Sequence, residues 1–156
     1  MRKHERVRLL KYDFKMNLVL IGDSGMILIG GIPPIFILLN VGVGKTSLFH
    51  RFHYDSFESS SFATIGIDVM STKVQCGGKV VKLKIWDFGG QERFQPALAA
   101  DYRGSKGILL VYDVSDEVSF INVRNWMKQI NQNAPPDVNV MLIGNKCDAD
   151  PSERVS

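Results

Sequence analysis

Short apolar runs recur along the 156 residues and alternate with stretches whose apolar positions fall three and four apart. Residues 16–21 (Met-Asn-Leu-Val-Leu-Ile), 107–112 (Gly-Ile-Leu-Leu-Val-Tyr) and 138–143 (Val-Asn-Val-Met-Leu-Ile) have the near-continuous apolarity of strands buried on both faces. Residues 45–54 carry Leu48, Phe49 and Phe52 at helical spacing. Residues 116–133 carry Val118, Ile121, Trp126 and Ile130, which the same reasoning assigns to one helical face. Ser115 or Asp116 stands where that helix needs a cap, and Pro135-Pro136 stops it. Residues 67–76 and 79–86 flank Gly77-Gly78, which predicts a hairpin with a two-residue primed turn. In its second arm Val81, Leu83 and Ile85 alternate with Val80, Lys82 and Lys84, so one face is wetter. Residues 57–64 are serine-rich and aperiodic and read as loop, as does the polar run at 87–104, with a short helix in it. Strands alternating with helices predict an α/β fold: a mostly parallel central sheet, helices on both faces, and one antiparallel edge strand from the hairpin.

One block does not fit this alternation. Eleven of the seventeen residues at 26–42 are Ile, Leu, Met, Phe or Val, and Asn40 is the only polar side chain. With Val43 the stretch approaches the length of a membrane span, but Gly30-Gly31 and Pro33-Pro34 break the helix that a span requires. The block separates Gly22-Asp23-Ser24-Gly25 from Val43-Gly44-Lys45-Thr46. Joined, these read G-D-S-G-V-G-K-T, the phosphate loop G-x-x-x-x-G-K-[ST] of a P-loop nucleotide-binding protein.

Two registers close that loop. In the first, residues 16–21 remain the strand and the block loops out. The separation of the motif glycines then grows from five positions to twenty-two, which costs only about 1.3 kcal/mol of closure entropy. In the second, residues 35–38 act as a substitute strand and 39–46 as a contiguous loop, with Leu39 in place of the first glycine. That register displaces residues 16–21 and leans Val41 toward the γ-phosphate, where it crowds Gln91 and impairs hydrolysis. The first register is favoured for placing the strand, and neither predicts a normal catalytic cycle.

Composition narrows the class. The length suits a single domain at 12–156 behind a basic tail at 1–11 that holds Arg2, Lys3, Arg6 and Arg8. A net charge of +3, partly confined to that tail, reads as a solvated arm and not as a nucleic-acid surface. Cys76 and Cys147 do not make a secreted disulfide framework, and no signal peptide is visible, so a cytoplasmic setting is expected.

Four separated signals point to one ligand class. Lys45 opens a helix, where amide N–H groups and the dipole favour phosphate; its ammonium belongs on the outer phosphates and the Thr46 hydroxyl on Mg²⁺. Asp87 ends a strand, and Gly90 follows three residues later. A carboxylate there suits the metal, and a glycine lets backbone approach the γ-phosphate. Gln91 is placed to orient an attacking water. Asn145-Lys146-Cys147-Asp148 follows a buried strand. Asp148 can accept two hydrogen bonds from guanine that adenine does not offer, Asn145 can contact the base or brace the loop, and the Lys146 stem can cover the ring.

With these motifs the chain resembles the Ras superfamily of small GTPases and, within it, the Rab branch near members of exocytic traffic. The Rab-like stretches are Thr64-Ile65-Gly66-Ile67-Asp68, Lys82-Leu83-Lys84-Ile85-Trp86, Gln91-Glu92-Arg93-Phe94, Asp101-Tyr102-Arg103-Gly104 and Leu110-Val111-Tyr112-Asp113. The resemblance implies a GTP/GDP switch that hydrolyses GTP in vesicle traffic and works with exchange factors, GTPase-activating proteins and effectors. By the same resemblance nucleotide contacts extend over Gly22, Asp23, Ser24, Gly25, Val43, Gly44, Lys45, Thr46, Ser47, Thr64, Gly90, Asn145, Lys146 and Asp148. Thr64 joins Thr46 and Asp87 around Mg²⁺, and Gln91 is catalytic.

The chain also departs from the family pattern. Val69 stands where Rab proteins have a Phe, which the resemblance groups with Trp86 and Tyr102 as an effector-facing aromatic cluster; D-T-A-G-Q becomes Asp87-Phe88-Gly89-Gly90-Gln91. A complete member continues with a further strand, helices and a prenylated tail, whereas this sequence stops at Ser156 without a C-a-a-X box. The expectation is therefore a truncated domain, marginal alone, with no lipid anchor for a membrane and with activity impaired by the insert. The other reading is a catalytically inactive relative that meets a partner or a membrane through residues 26–43.

Overall fold

The computed structural model describes residues 11–23, 26–29, 35–38, 42–57, 67–88 and 102–155. Its elements are β1 (Phe14–Ile21), β2 (Met26–Ile29), β3 (Ile35–Leu38), α1 (Lys45–Tyr54), β4 (Ile67–Cys76), β5 (Lys79–Phe88), β6 (Gly107–Asp113), α2 (Glu117–Asn133) and β7 (Asn139–Asn145). A five-stranded sheet runs in the order β4-β5-β1-β6-β7. β1 pairs in parallel with both β5 and β6, and β6 in parallel with β7, while β4 pairs antiparallel with β5. The parallel sheet with one antiparallel edge strand agrees with the expectation from the apolar runs.

Local chemistry accounts for most boundaries. Gly77 and Gly78 close the β4–β5 hairpin with φ of 55° and 75°, the left-handed pair that a type I′ turn demands. The Asp116 carboxylate accepts the Val118 N–H at 3.0 Å and caps α2. In β1, Val19 and Ile21 face one layer and Leu20 the other, and all three are buried. The first layer joins Tyr102, Ile108, Leu110 and Ile130 beneath α2; the second joins Val43, Phe49, Ile85 and Val111 beneath α1.

Two expectations need correction. Val118 and Ile121 are exposed; α2 turns Ser119, Val123, Trp126, Met127 and Ile130 inward instead. Nine residues separate Ile121 from Ile130, about two and a half turns, so the two lie on opposite sides of the helix. Ser119 brings the helix start close to β6, since its hydroxyl accepts the Asp113 N–H at 3.0 Å and donates to the Asp116 carbonyl at 2.8 Å. Tyr102, expected on an effector-facing surface, is only 1% exposed and packs in the α2-side core. Val69 is exposed and lies opposite Trp86 in the β4–β5 register.

The insert resolves the two registers. β2 and β3 pair antiparallel with each other, Met26 opposite Leu38 through Ile29 opposite Ile35, as a separate two-stranded sheet. β1 keeps the centre of the main sheet, and the substitute strand at 35–38 does not enter it. Among the described residues no helix is long and apolar enough to cross a membrane.

Candidate functional site

The carboxyl ends of β1, β5, β6 and β7 meet at one rim of the sheet, which gathers the motif residues. Leu20 pairs with Asp87 and Ile21 with Leu110, so Gly22 leaves β1 level with the end of β5. Gly22 must be glycine: its φ is 142°, and a Cβ would sit 2.2 Å from the Val111 carbonyl oxygen. Asp23 follows, and the chain re-enters the site at Val43, whose N–H donates to the Asp23 carbonyl at 3.4 Å. Gly44 (φ 81°) heads α1 with no side-chain cap and no acid in the first turn. Ser47 lies in that first turn. A helix start left open in this way presents amide donors and the positive end of the dipole to an anion.

Lys45 is the buried cation of the site, 6% exposed. Its Nζ donates to the Gly22 carbonyl at 2.9 Å and the Asp23 carbonyl at 3.0 Å, so the ammonium sits under the upstream arm of the loop. Burial lowers its pKa from 10.5 to about 8, against the attraction of Asp87 and Asp23. Beside it the Thr46 hydroxyl donates to Asp87 Oδ2. Asp87 is fully buried, and among the described residues its Oδ1 has no hydrogen-bond partner. Burial pushes the Asp87 carboxyl up; the Thr46 hydrogen bond and the Lys45 charge oppose that. A buried carboxylate oxygen with an open lone pair beside a hydroxyl fits a hard divalent cation such as Mg²⁺.

The Asn145-Lys146-Cys147-Asp148 motif leaves β7 at the same rim. Asn145 Nδ2 donates to the Val43 carbonyl at 2.8 Å and so ties the end of β7 to the segment that leads into α1. Lys146 takes a left-handed conformation (φ 61°), and its Nζ meets Asp113 Oδ2 at 2.6 Å. Burial alone would raise the Asp113 carboxyl; hydrogen bonds from Lys146 and Ser115 outweigh it and hold the group below the usual range. Asp148 is exposed in the turn beyond. Arg154 ties that turn down by donating to the Cys147 carbonyl at 2.6 Å and to the Ala149 carbonyl at 2.9 Å. Ser24, Gly25, Thr64, Gly90 and Gln91 lie outside the described residues.

Sequence reasoning overlooked three groups here. Asp113 closes an apolar strand at the same rim as Asp87 and Asn145, and that shared position was a usable signal. Asn122 and Trp126 of α2 bind the Asp23 carboxylate, with Nδ2 to Oδ2 at 2.7 Å and Nε1 to Oδ1 at 2.8 Å. They lie 99 and 103 positions from it, and no local pattern announces them.

Comparison with known proteins bears on this rim directly. The sequence model of the Ras family matches residues 35–156. Ras-related protein RABE1d of Arabidopsis thaliana is 50% identical over 143 residues, covering 92% of this chain and 58% of its own length. Ras-related protein Rab-8A of Gallus gallus is 45% identical over 145 residues, covering 93% and 62%. The GTP-binding protein yptV2 of Volvox carteri is 49% identical over 144 residues, covering 92% and 58%. This chain belongs to the Rab branch of the Ras family. It spans about three fifths of the length of these curated relatives. The family match begins at Ile35, inside the insert of this Rab-like chain, whereas the folded sheet takes its central strand from Phe14–Ile21. The matches to the relatives, over 143 to 145 residues, extend upstream of Ile35, so they also take in residues ahead of the insert.

Proposed function

We propose that the chain is a guanine-nucleotide-binding switch of vesicle traffic that hydrolyses GTP to GDP, with turnover slowed by the insert. The observation that carries the reading is the convergence of Lys45, Thr46 and a half-satisfied buried Asp87 at the uncapped start of α1. The phosphates are held by the backbone and side chains of Gly22, Asp23, Ser24, Gly25, Val43, Gly44, Lys45, Thr46 and Ser47, with Thr64 and Gly90 at the γ-phosphate. Lys45 already stands as a cation beneath that cradle and needs little movement to meet them. Thr46, Thr64 and Asp87 are the residues that would hold Mg²⁺, which when bound offsets charge on the phosphate oxygens. Gln91 orients the attacking water. Asp148 selects guanine, Lys146 covers the base, and Asn145 keeps Val43 and Gly44 in place behind the phosphates. Exchange factors, GTPase-activating proteins and effectors are the partners such a switch requires.

Titration with GDP and GTP, with and without Mg²⁺, tests the proposal when this chain is compared with a version lacking residues 26–42. The expectation is Mg²⁺-dependent stoichiometric binding by both, at least tenfold preference for guanine over adenine nucleotide, and faster hydrolysis without the insert. Absence of guanine-nucleotide binding in both chains overturns it. If the full chain instead binds liposomes independently of nucleotide, and loses that binding on deletion of 26–42, the inactive membrane-docking reading takes its place.

A further inference from the structure

The insert leaves the loop after Asp23 and returns at Val43, and the two lips are anchored separately. Val43 is buried with Leu20 and Phe49 beneath α1, and its carbonyl accepts from Asn145 at 2.8 Å. Asp23 is anchored from the opposite layer, where both carboxylate oxygens are taken, one by Asn122 and one by Trp126 of α2. The backbone carbonyl of Asp23 then receives both the Val43 N–H and the Lys45 ammonium. Asp23 thus joins its own lip to the Val43 lip and to α2. In an uninterrupted loop Asp23 and Val43 would be three positions apart and the short connection itself would hold the lips together. Here they are twenty apart, and even with Met26 paired to Leu38 eight of those steps lie outside the β2–β3 pair, so the connection constrains the lips less.

We infer that Asp23, gripped by Asn122 and Trp126, is the positioning residue that keeps the interrupted phosphate cradle closed, and that the insert makes the chain depend on this grip. A carboxylate suits the task, because it accepts from two N–H donors at once, and charge-assisted bonds of this kind are shorter and stronger than neutral ones. The inference rests on the nucleotide-binding reading only for its effect on affinity; closure of the lips is a property of the nucleotide-free chain.

The test uses Asn122→Ala/Trp126→Phe, which removes both donors and leaves Asp23 in place, in the full chain and in the version lacking residues 26–42. In nucleotide-free protein, hydrogen exchange at the Val43 amide should speed up at least tenfold in the full chain and less than threefold without the insert. Amides of Leu110 and Val111 in β6 should not change. GDP affinity should fall at least tenfold in the full chain by the same pattern. Equal effects in both backgrounds, an effect spread through β6, or no effect overturns the inference. A second measurement needs no deletion: Asp23→Asn should move the Trp126 indole N–H resonance and leave that of Trp86 in place, and an unmoved Trp126 signal overturns it as well. If neither background binds guanine nucleotide, the proposed function fails while the exchange result still decides the clasp.

Discussion

Lys45→Met separates the cost of burying the ammonium from its use. Burial lowers the Lys45 pKa from 10.5 to about 8, a gap of about 2.5 units. At 1.36 kcal/mol per unit, the charged form is about 3 kcal/mol worse placed in the folded chain than the neutral form. The sign follows from proton counts. Between pH 8 and pH 10.5 the unfolded chain holds this proton and the folded chain does not, so stability rises with pH across that window. Tyr102 works in the opposite direction only higher up, since burial raises its hydroxyl above the usual 10.0 and stability falls past that point. The window from pH 8 to pH 10 therefore belongs mainly to Lys45.

Methionine keeps the length and removes the charge, along with the hydrogen bonds to Gly22 and Asp23, each of which contributes about 1 kcal/mol. At pH 7 the variant should be about 1 kcal/mol more stable than the parent chain. By pH 10 the parent gains about 2.7 kcal/mol, and the order reverses. Nucleotide affinity should move the other way, because phosphate needs the charged form: about tenfold weaker at pH 9 than at pH 7 for the parent, with no such slope in Lys45→Met. Urea unfolding of both nucleotide-free chains from pH 7 to pH 10, followed by GDP titration across the same range, provides the measurement. A stability difference that stays constant over that range refutes the argument.

Other consequences follow from single contacts. Asp113→Asn should cost about 1.5–3 kcal/mol at pH 7 through its bond from Lys146. The folded Asp113 carboxyl lies below 3.8, so the contribution is present above that pH and lost as pH falls through the lower folded value; equal losses at pH 7 and in strong acid would contradict the assignment. Gly22→Ala should destabilise by more than about 2 kcal/mol, because its Cβ meets the Val111 carbonyl and not a flexible side chain; an unchanged urea midpoint would exclude that packing. Met141 and Leu142, 61% and 49% exposed on the outermost described strand of the sheet, make β7 a site of edge pairing. Met141→Lys should lower the sedimentation-measured association of the chain, and an unaltered profile would sink that expectation.

What the sequence revealed and what it concealed divide by distance along the chain. The bounds of α1 follow from Leu48, Phe49 and Phe52, the hairpin turn from Gly77-Gly78, and the start of α2 from Asp116, all local signals. The placement of Gly22, Lys45, Asp87 and Asn145 at the rim was legible too, because each stands at the end of an apolar strand or the start of a helix. The inward face of α2 was not, since its apolar residues occupy both sides and the small Ser119 marks the true contact. Tyr102 was assigned by analogy to a surface, whereas its bulk fills a layer that only the assembled sheet defines. The Asp23 clasp and the Asp113–Lys146 pair join distant segments and depend on strand order, which periodicity does not encode.

The choice between the two strands for the sheet centre follows from the same distinction. A central strand must present N–H and C=O groups to neighbours on both sides; β1 is eight residues long, seven of them in register with β5 and four with β6, so that Leu18, Val19 and Leu20 are paired on both sides. The rival segment, Ile35–Leu38, has four, and lengthening it backward runs into Pro34 and Pro33. Neither proline has an N–H to donate, and prolines are confined to sheet edges and bulges. Substituting that segment for β1 would forfeit several ladder hydrogen bonds at about 1 kcal/mol each, while looping the block out costs about 1.3 kcal/mol. Pairing β2 with β3 lowers the remaining objection, because the two strands satisfy backbone groups in each other that would otherwise need water or the sheet. The insert is therefore best accommodated as a hairpin outside the main sheet, and the burden of bringing Lys45 and Thr46 to the cradle falls on β1, Asp23 and Val43.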